Sequence, residues 1–221
     1  MWDPGWDAVF LKHEWGKYPP EELVRFVARR FYSVPDRSSI RFLEVGCGPG
    51  GNLLYLAGEG FSVDGLDGSM VALERARKRL DERNLTAGLI RSDAVHPPFA
   101  DEIYDCVIDI ECLYANSMAS TRQSLAEIHR MLKPGGWLFS KTFKTGTSGD
   151  GDGERLEGEA NTWVRLKSGP LHSDYGPIRF TAEDEISDLY ASFSQINYDY
   201  VIRSDRNRSM VVHEWLIACR K

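Results

Sequence analysis

The stretch FLEVGCGPGGNLLYLA, residues 42–57, decides how the rest of the chain is read. A short apolar run, a cluster of glycines and a second apolar run follow one another. That order predicts a buried strand, a tight turn and a helix. The glycines satisfy two spacings at once. Gly46, Gly48 and Gly51 spell G-x-G-x-x-G, in which backbone amides approach a pyrophosphate at a helix N-terminus. Gly46, Gly48 and Gly50 spell G-x-G-x-G, which serves a different ligand. Either ligand would lie past the carboxyl end of the strand, in the crevice of an open α/β sheet.

Working outward, residues 40–143 alternate between strand and helix patterns. IRFLEVG and its helix are followed by FSVDGLD, a second strand, and by the amphipathic helix SMVALERARKRLDERN. TAGLIRSD and EIYDCVIDIECLY read as the third and fourth strands. TRQSLAEIHRML is a helix closed by KPGG, and WLFSKTF is the fifth strand. This rhythm predicts right-handed βαβ units in a mostly parallel sheet. Residues 1–19 are aromatic-rich and read as irregular. PPEELVRFVARRF, residues 19–31, reads as a helix with acids in its first turn and arginines in its last. Its apolar stripe is Leu23, Phe26, Val27 and Phe31.

Beyond the core the rhythm breaks. KTGTSGDGDGERLEGEA, residues 144–160, is too rich in glycine and acid to bury apolar surface and reads as a mobile surface loop. TAEDEISDLYASF is one more helix, with Thr181 as N-cap and Asp184 as its capping-box partner. QINYDYVIRS and SMVVHEWLIACRK are joined by so short a turn that they must pair antiparallel. The expected organisation is one domain over 1–221. It comprises an aromatic arm and helix (1–39), a core (40–143), an insert or lid (144–180) and a C-terminal helix with two strands (181–221).

The 221 residues suffice for one large α/β domain. The net charge of -6 argues against a non-specific grip on nucleic acid or an acidic membrane. No apolar run is long enough for a transmembrane helix, and the N-terminus does not read as a signal peptide. Cys47, Cys106, Cys112 and Cys219 form no C-x-x-C pair. They read as free thiols in a reducing, cytoplasmic setting. The five histidines lack metal-ligand spacing, so no metal is expected.

Glu44 separates the two readings of the glycine turn. It lies two residues before Gly46, where its carboxylate would repel a pyrophosphate, and no Lys or Arg in the turn offsets it. A ligand with positive charge at that end is favoured. S-adenosylmethionine carries a sulfonium and an ammonium group and no phosphate. Asp67 ends the second strand, 19 residues after Gly48, where a carboxylate accepts ribose hydroxyls. Asp93 ends the third strand, within reach of an adenine amino group.

These pieces resemble the class I S-adenosylmethionine-dependent methyltransferases of small-molecule type, in particular the type 11/25-like families. LEVGCGPGG, VDGLDGSM, RSDA and YDCVIDIECL are similar to their first four motifs. EIHRMLKPGGWLFSKTF is similar to the helix, turn and strand that follow. The resemblance implies a Rossmann-like, doubly wound, mostly parallel seven-stranded sheet with a C-terminal antiparallel hairpin. It implies S-adenosylmethionine as cofactor and S-adenosylhomocysteine as product. Gly46, Cys47 and Gly48 would line the methionine portion, with Glu44 near its ammonium group. Asp67 would bind the ribose and Met70 would pack on the adenine. Asp93 and Ala94 would meet the adenine edge, and Ile110 would approach the methionine end. The orientation of Glu111 stays open.

Methyl transfer needs acceptor, methyl and sulfur in line and shielded from water. Trp15, Lys17 and Tyr18 of the arm are candidates for one cover, with Trp15 and Tyr18 against the cofactor. Trp2, Trp6 and Trp15 read equally well as simple packing of the arm onto the sheet. The insert is the other cover, with His172 and Tyr175 at its tips. Tyr114, His172 and Tyr175 are candidates to line the acceptor. His172, His213 and Tyr114 are candidate bases by chain position alone, and none is singled out. His213 reads better as a structural mid-strand histidine, and His129 as a surface or cap residue.

The place after the fourth strand reads DIECLYA and lacks the proline-rich motif of enzymes that methylate DNA base amino groups. Asp109 has no partner in SKTF for catechol-type metal binding. Arg203, Arg206 and Arg208 are the basic cluster, at the terminal turn, and read as a solvated turn. The expected partner is therefore a small or medium organic acceptor, methylated at oxygen or nitrogen by direct displacement, and not a nucleic acid. Two alternatives stand beside this: a nicotinamide-dinucleotide-dependent oxidoreductase, and a non-catalytic binding protein of methyltransferase fold.

Overall fold

The computed structural model describes residues 3–171 and 176–221. Its frame is a seven-stranded sheet in the order β3-β2-β1-β4-β5-β10-β9. The strands are β1 (Arg41–Val45), β2 (Ser62–Asp67), β3 (Gly88–Arg91), β4 (Tyr104–Ile110), β5 (Leu132–Phe143), β9 (Ser194–Asp205) and β10 (Met210–Arg220). β1 to β5 pair in parallel, whereas β10 runs antiparallel to both β5 and β9. The parallel order reverses between β1 and β4, so the crevice opens at their carboxyl ends. This is the doubly wound, Rossmann-like sheet with a terminal antiparallel pair that the sequence predicts.

Alternation along β1 splits the core between two faces. Phe42 joins Leu23, Phe26, Val27 and Phe31 of α2 (Glu21–Phe31) and Leu53 and Leu56 of α3 (Gly51–Gly58). Leu43 and Val45 face the other way. They meet Leu125, Ile128 and Met131 of α5 (Met118–Met131) and Ile186 and Leu189 of α6 (Glu183–Leu189). Each of these fully buried side chains contributes about 1.5–3 kcal/mol relative to exposure. Glu44 shares the α3 face with Phe42. The side-chain period of two thus directs a carboxylate, not an apolar group, at the start of α3.

Four expectations need correction. Residues 1–19 are not wholly irregular: Gly5–Lys12 form helix α1. Its pattern is weak because tertiary contacts hold it. Phe10 is buried and lies over Gly48, and the Ser69 hydroxyl bonds the Asp7 carboxylate. Ser69 is also the N-cap of α4 (Met70–Asp81). The stretch 144–160 is not all surface loop. With the residues after it, it supplies a small sheet of β6 (Glu154–Arg155), β7 (Thr162–Val164) and β8 (Ile178–Arg179). The Glu159 carboxylate pins this insert to the core by accepting the Met118 N–H at 2.8 Å, at the N-terminus of α5.

The α6 cap sits one residue later than expected. Ala182 is the N-cap, and its N–H donates to Glu185 Oε2 at 2.7 Å. The Thr181 hydroxyl is occupied by Arg179 at 2.8 Å, so it does not cap. Finally, KPGG is not a free turn before the fifth strand. It lies within β5, where the register against β4 slips between Tyr104 and Cys106.

Candidate functional site

The glycine turn is built for close backbone approach. Gly46, Gly48 and Gly50 have φ of 66°, 50° and 79°, a region that side chains rarely tolerate. A Cβ on Gly46 would collide with Cys112 Sγ, and one on Gly50 with Ala76. The amides of the turn are already engaged. The Cys47 N–H donates to Leu66 O at 2.9 Å and the Gly50 N–H to Cys47 O at 3.0 Å. The Gly48 N–H donates to Asp67 Oδ2 at 2.8 Å. Gly48, the amide that a pyrophosphate would most need, thus already serves the protein's own anion.

Glu44 behaves differently from its neighbours. It is 2% exposed, and its Oε1 accepts from Asn52 Nδ2 at 2.6 Å. Its Oε2 is buried and has no protein donor. Burial pushes its carboxyl up to about 8, against the Asn52 bond and with help from the charges of Asp67 and Asp109. Asp67 accepts from the Ser69 N–H as well as from Gly48. Burial nonetheless raises its carboxyl above the ordinary range. Asp93 Oδ1 accepts the Val95 N–H at 3.1 Å.

A cavity of about 400 Å³ opens over this turn. The structure brings Glu44, Gly46, Cys47, Gly48, Asp67, Asp93, Ala94 and Ile110 to its wall, and with them Trp15, Tyr18 and Tyr114. Met70 is not there: it opens α4, is 43% exposed and lies off the cavity. His172 and Tyr175 lie outside the described residues. His213 is on β10 away from the cavity. Its backbone N–H donates to the Thr147 hydroxyl at 3.0 Å and its carbonyl accepts from the Lys144 N–H, so it ties down the insert. His129 packs edge-on against Phe193, and burial lowers its imidazole below the usual value.

Several residues that shape the site left no pattern in the sequence. Arg79, 8% exposed, donates to Trp15 O at 2.8 Å, Gly16 O at 3.1 Å and Pro49 O at 3.0 Å. It staples the arm to the glycine turn and so closes one side of the cavity. Phe10 and Trp15 pack at 5.1 Å between ring centres above the same turn. Asn52, in the first turn of α3, reaches the end of β1 to donate to Glu44, a direction that its place in the sequence does not fix.

The wall carries five acids, Asp3, Glu44, Asp67, Asp93 and Glu111, and among the described residues no Lys, Arg or His. A cavity so lined can pair with a cationic ligand and offers a phosphate no counter-charge. The buried, partnerless Glu44 oxygen is the kind of atom that an ammonium group satisfies. The residues present therefore fit S-adenosylmethionine and do not fit a pyrophosphate. No group of three or more potential metal ligands occurs among the described residues.

Comparison with known proteins agrees. Residues 42–136 match the family model described as a methyltransferase domain. A fatty-acid O-methyltransferase of Mycolicibacterium smegmatis is 30% identical over 146 residues, covering 60% of this chain and 52% of that protein. The chain spans about half the length of the curated relatives it matches. A structure described under the conversion of a disulfide bond into a thioacetal group during echinomycin biosynthesis superposes with a TM-score of 0.69. It is 24% identical and covers 98% of this chain and 90% of its own. A SAM-dependent methyltransferase of Methanosarcina mazei also gives 0.69, at 20% identity, over 82% of this chain and 92% of its own. At such identities these structures speak for the fold alone. Glycine turn, acidic strand ends, sheet order and family match converge: residues 42–136 match a methyltransferase domain, and the sheet that carries them has the fold of S-adenosylmethionine-dependent methyltransferases.

Proposed function

We propose that the protein transfers the methyl group of S-adenosylmethionine to a small or medium organic acceptor, at oxygen or nitrogen. The observation that carries this reading is the buried Glu44 Oε2, left without a protein donor in a residue of the cavity wall. When bound, the cofactor supplies an activated methyl group on a sulfonium. Glu44 would hold its ammonium group, with the backbone of Gly46, Cys47 and Gly48 along the methionine portion. Asp67 would hold the ribose, and Asp93 with Ala94 the adenine edge. Ile110 would border the methionine end, and Trp15 and Tyr18 of the arm would cover the cofactor.

The chain's own contribution to rate would be positional. Arg79 holds the arm closed, the aromatic wall excludes water, and the strand ends fix the line of displacement. In this reading the arm, the core and the insert work as one domain. The partner is a small molecule and not a nucleic acid. The four free thiols support a cytoplasmic setting. No helix among the described residues is long and apolar enough to cross a membrane.

Calorimetric titration with S-adenosylhomocysteine and with nicotinamide dinucleotides tests the cofactor. Binding of the former alone is expected. Tight dinucleotide binding without S-adenosylhomocysteine binding would overturn the proposal. Labelled methyl transfer to pooled small acceptors tests turnover, and binding without transfer to any of them would favour a non-catalytic role.

A further inference from the structure

If Glu44, Asp67 and Asp93 serve the cofactor, two of the five wall carboxylates remain, Asp3 and Glu111. Glu111 follows β4 with φ of 56°, a left-handed conformation uncommon for a residue with a side chain. Its N–H donates to Lys141 O at 2.8 Å, and its Oε1 accepts from Lys141 Nζ at 2.7 Å. The geometry of Glu111 is thus fixed twice by one residue of β5.

Lys141 is itself 5% exposed and also donates to Glu214 Oε1 at 2.6 Å; Glu214 is 1% exposed. This cation lies behind the wall and is held by two carboxylates. Glu214 is also approached by Arg203 at 3.5 Å, and of these residues Glu111 alone lines the cavity. The same wall carries Trp6, Tyr18 and Tyr114. Carboxylates interleaved with aromatic rings, and no cation among the described lining residues, are what a nitrogen base requires. An acidic acceptor, of the kind named for the mycobacterial relative, would find no cation on the described lining and would meet the carboxylates of Asp3 and Glu111.

We propose that the acceptor is an amine and that Glu111 is the residue that receives its nitrogen. This rests on the methyltransferase reading above. The lone pair of the amine forms the new N–C bond while the C–S bond breaks. The electron pair of that bond returns to sulfur, and the nitrogen takes up the positive charge. Glu111 hydrogen-bonds the N–H groups, accepts the proton that leaves the nitrogen and passes it to solvent. Substrate preference for amines over carboxylic acids follows from the wall, not from the cofactor motifs.

The test uses the whole protein saturated with S-adenosylhomocysteine and two probes of similar bulk. Benzyltrimethylammonium is a cation that cannot be methylated, and benzenesulfonate is an anion. Calorimetry is expected to show the cation bound at least tenfold more tightly than the anion. Glu111→Gln is expected to weaken the cation at least fivefold while S-adenosylhomocysteine affinity stays within twofold. Equal or tighter binding of the anion, or no binding of the cation, would overturn the proposal. So would a Glu111→Gln variant that binds the cation as the wild type does. The comparison of probes on the wild type stands even if the variant folds poorly. Failure to bind S-adenosylhomocysteine would show before any probe is added; it would remove the methyltransferase reading and this inference with it.

Discussion

Two sets of buried carboxylates sit at neighbouring strand ends, and they are treated in opposite ways. At β4, β5 and β10 every one is matched. Asp109 accepts the Cys112 and Leu113 N–H groups at 3.1 Å and the Ser140 hydroxyl at 2.5 Å. Glu214 has Lys141 on one oxygen and Arg203 at 3.5 Å from the other. At β1 the Glu44 carboxylate has Asn52 on one oxygen and no protein donor on the other. Burial alone therefore does not mark a functional acid. The unmatched oxygen does, because a polar atom left alone in the interior costs stability unless a ligand is there to satisfy it.

The largest effect is expected where matching is complete. Burial would lower the Lys141 ammonium, but Glu111 and Glu214 outweigh it and hold the group above its usual value. Lys141→Met leaves the buried Glu214 and the partly exposed Glu111 without their shared lysine and is expected to destabilise by about 3–5 kcal/mol in urea unfolding. Glu214 is raised by burial first, and Lys141 opposes that. Without the lysine it should protonate more easily, so the loss should be smaller at pH 5 than at pH 8. Lys141→Met with Glu214→Leu should regain most of the stability. A single variant as stable as the wild type would show that the network is not structural.

Glu44 should show the reverse behaviour. Its folded-state value of about 8 lies above the ordinary 4.5, so the native state holds the extra proton between those limits. The stability it contributes is full below pH 4.5 and is lost as pH rises to 8. Between pH 5 and 8 the loss reaches as much as about 4 kcal/mol for the protein without ligand. Glu44→Gln is expected to flatten that slope while weakening S-adenosylmethionine by about 1.5–3 kcal/mol, the range for a hydrogen bond to a charged group. A variant that kept both the slope and the affinity would return Glu44 to the matched class.

The fold was legible where local rules and tertiary needs agree. The glycines between Val45 and Leu53, the stripe on α2 and the short join of β9 to β10 each follow from period and turn chemistry. The charge of Glu44 beside the turn identified the cofactor class, but the turn's own use of Asp67 on Gly48 became visible only in three dimensions. Arg79 reaches carbonyls 63, 64 and 30 residues away, and Lys141 meets Glu214 across 73 residues. No spacing rule encodes such pairs. Helix α1 and the two- and three-residue strands of the insert are held by tertiary contacts such as those of Asp7, Phe10 and Glu159. Their own sequences carry too little periodicity to announce them.

The smallest expected effect sharpens the contrast most. Asn52→Ala removes the one side-chain donor of Glu44 and makes the carboxylate fully unmatched. A charge-assisted hydrogen bond of about 1.5–3 kcal/mol lost from the ionised form corresponds to roughly one to two pKa units. The cofactor's ammonium group requires the ionised carboxylate, so binding must expel the proton. Wild-type S-adenosylhomocysteine affinity is expected to rise with pH and level off near 8. In Asn52→Ala the rise should lie at higher pH, so that affinity at pH 7, below the range in which the ligand's own ammonium group begins to lose its proton, falls by about ten- to a hundredfold. Global stability should fall by no more than about 1 kcal/mol at pH 5, where Glu44 is neutral in both proteins. A plateau that stays at the wild-type pH would mean that Asn52 does not tune Glu44. A plateau absent from both proteins would mean that Glu44 does not meet the ammonium group, and the line drawn between matched and unmatched acids would fail at its clearest example.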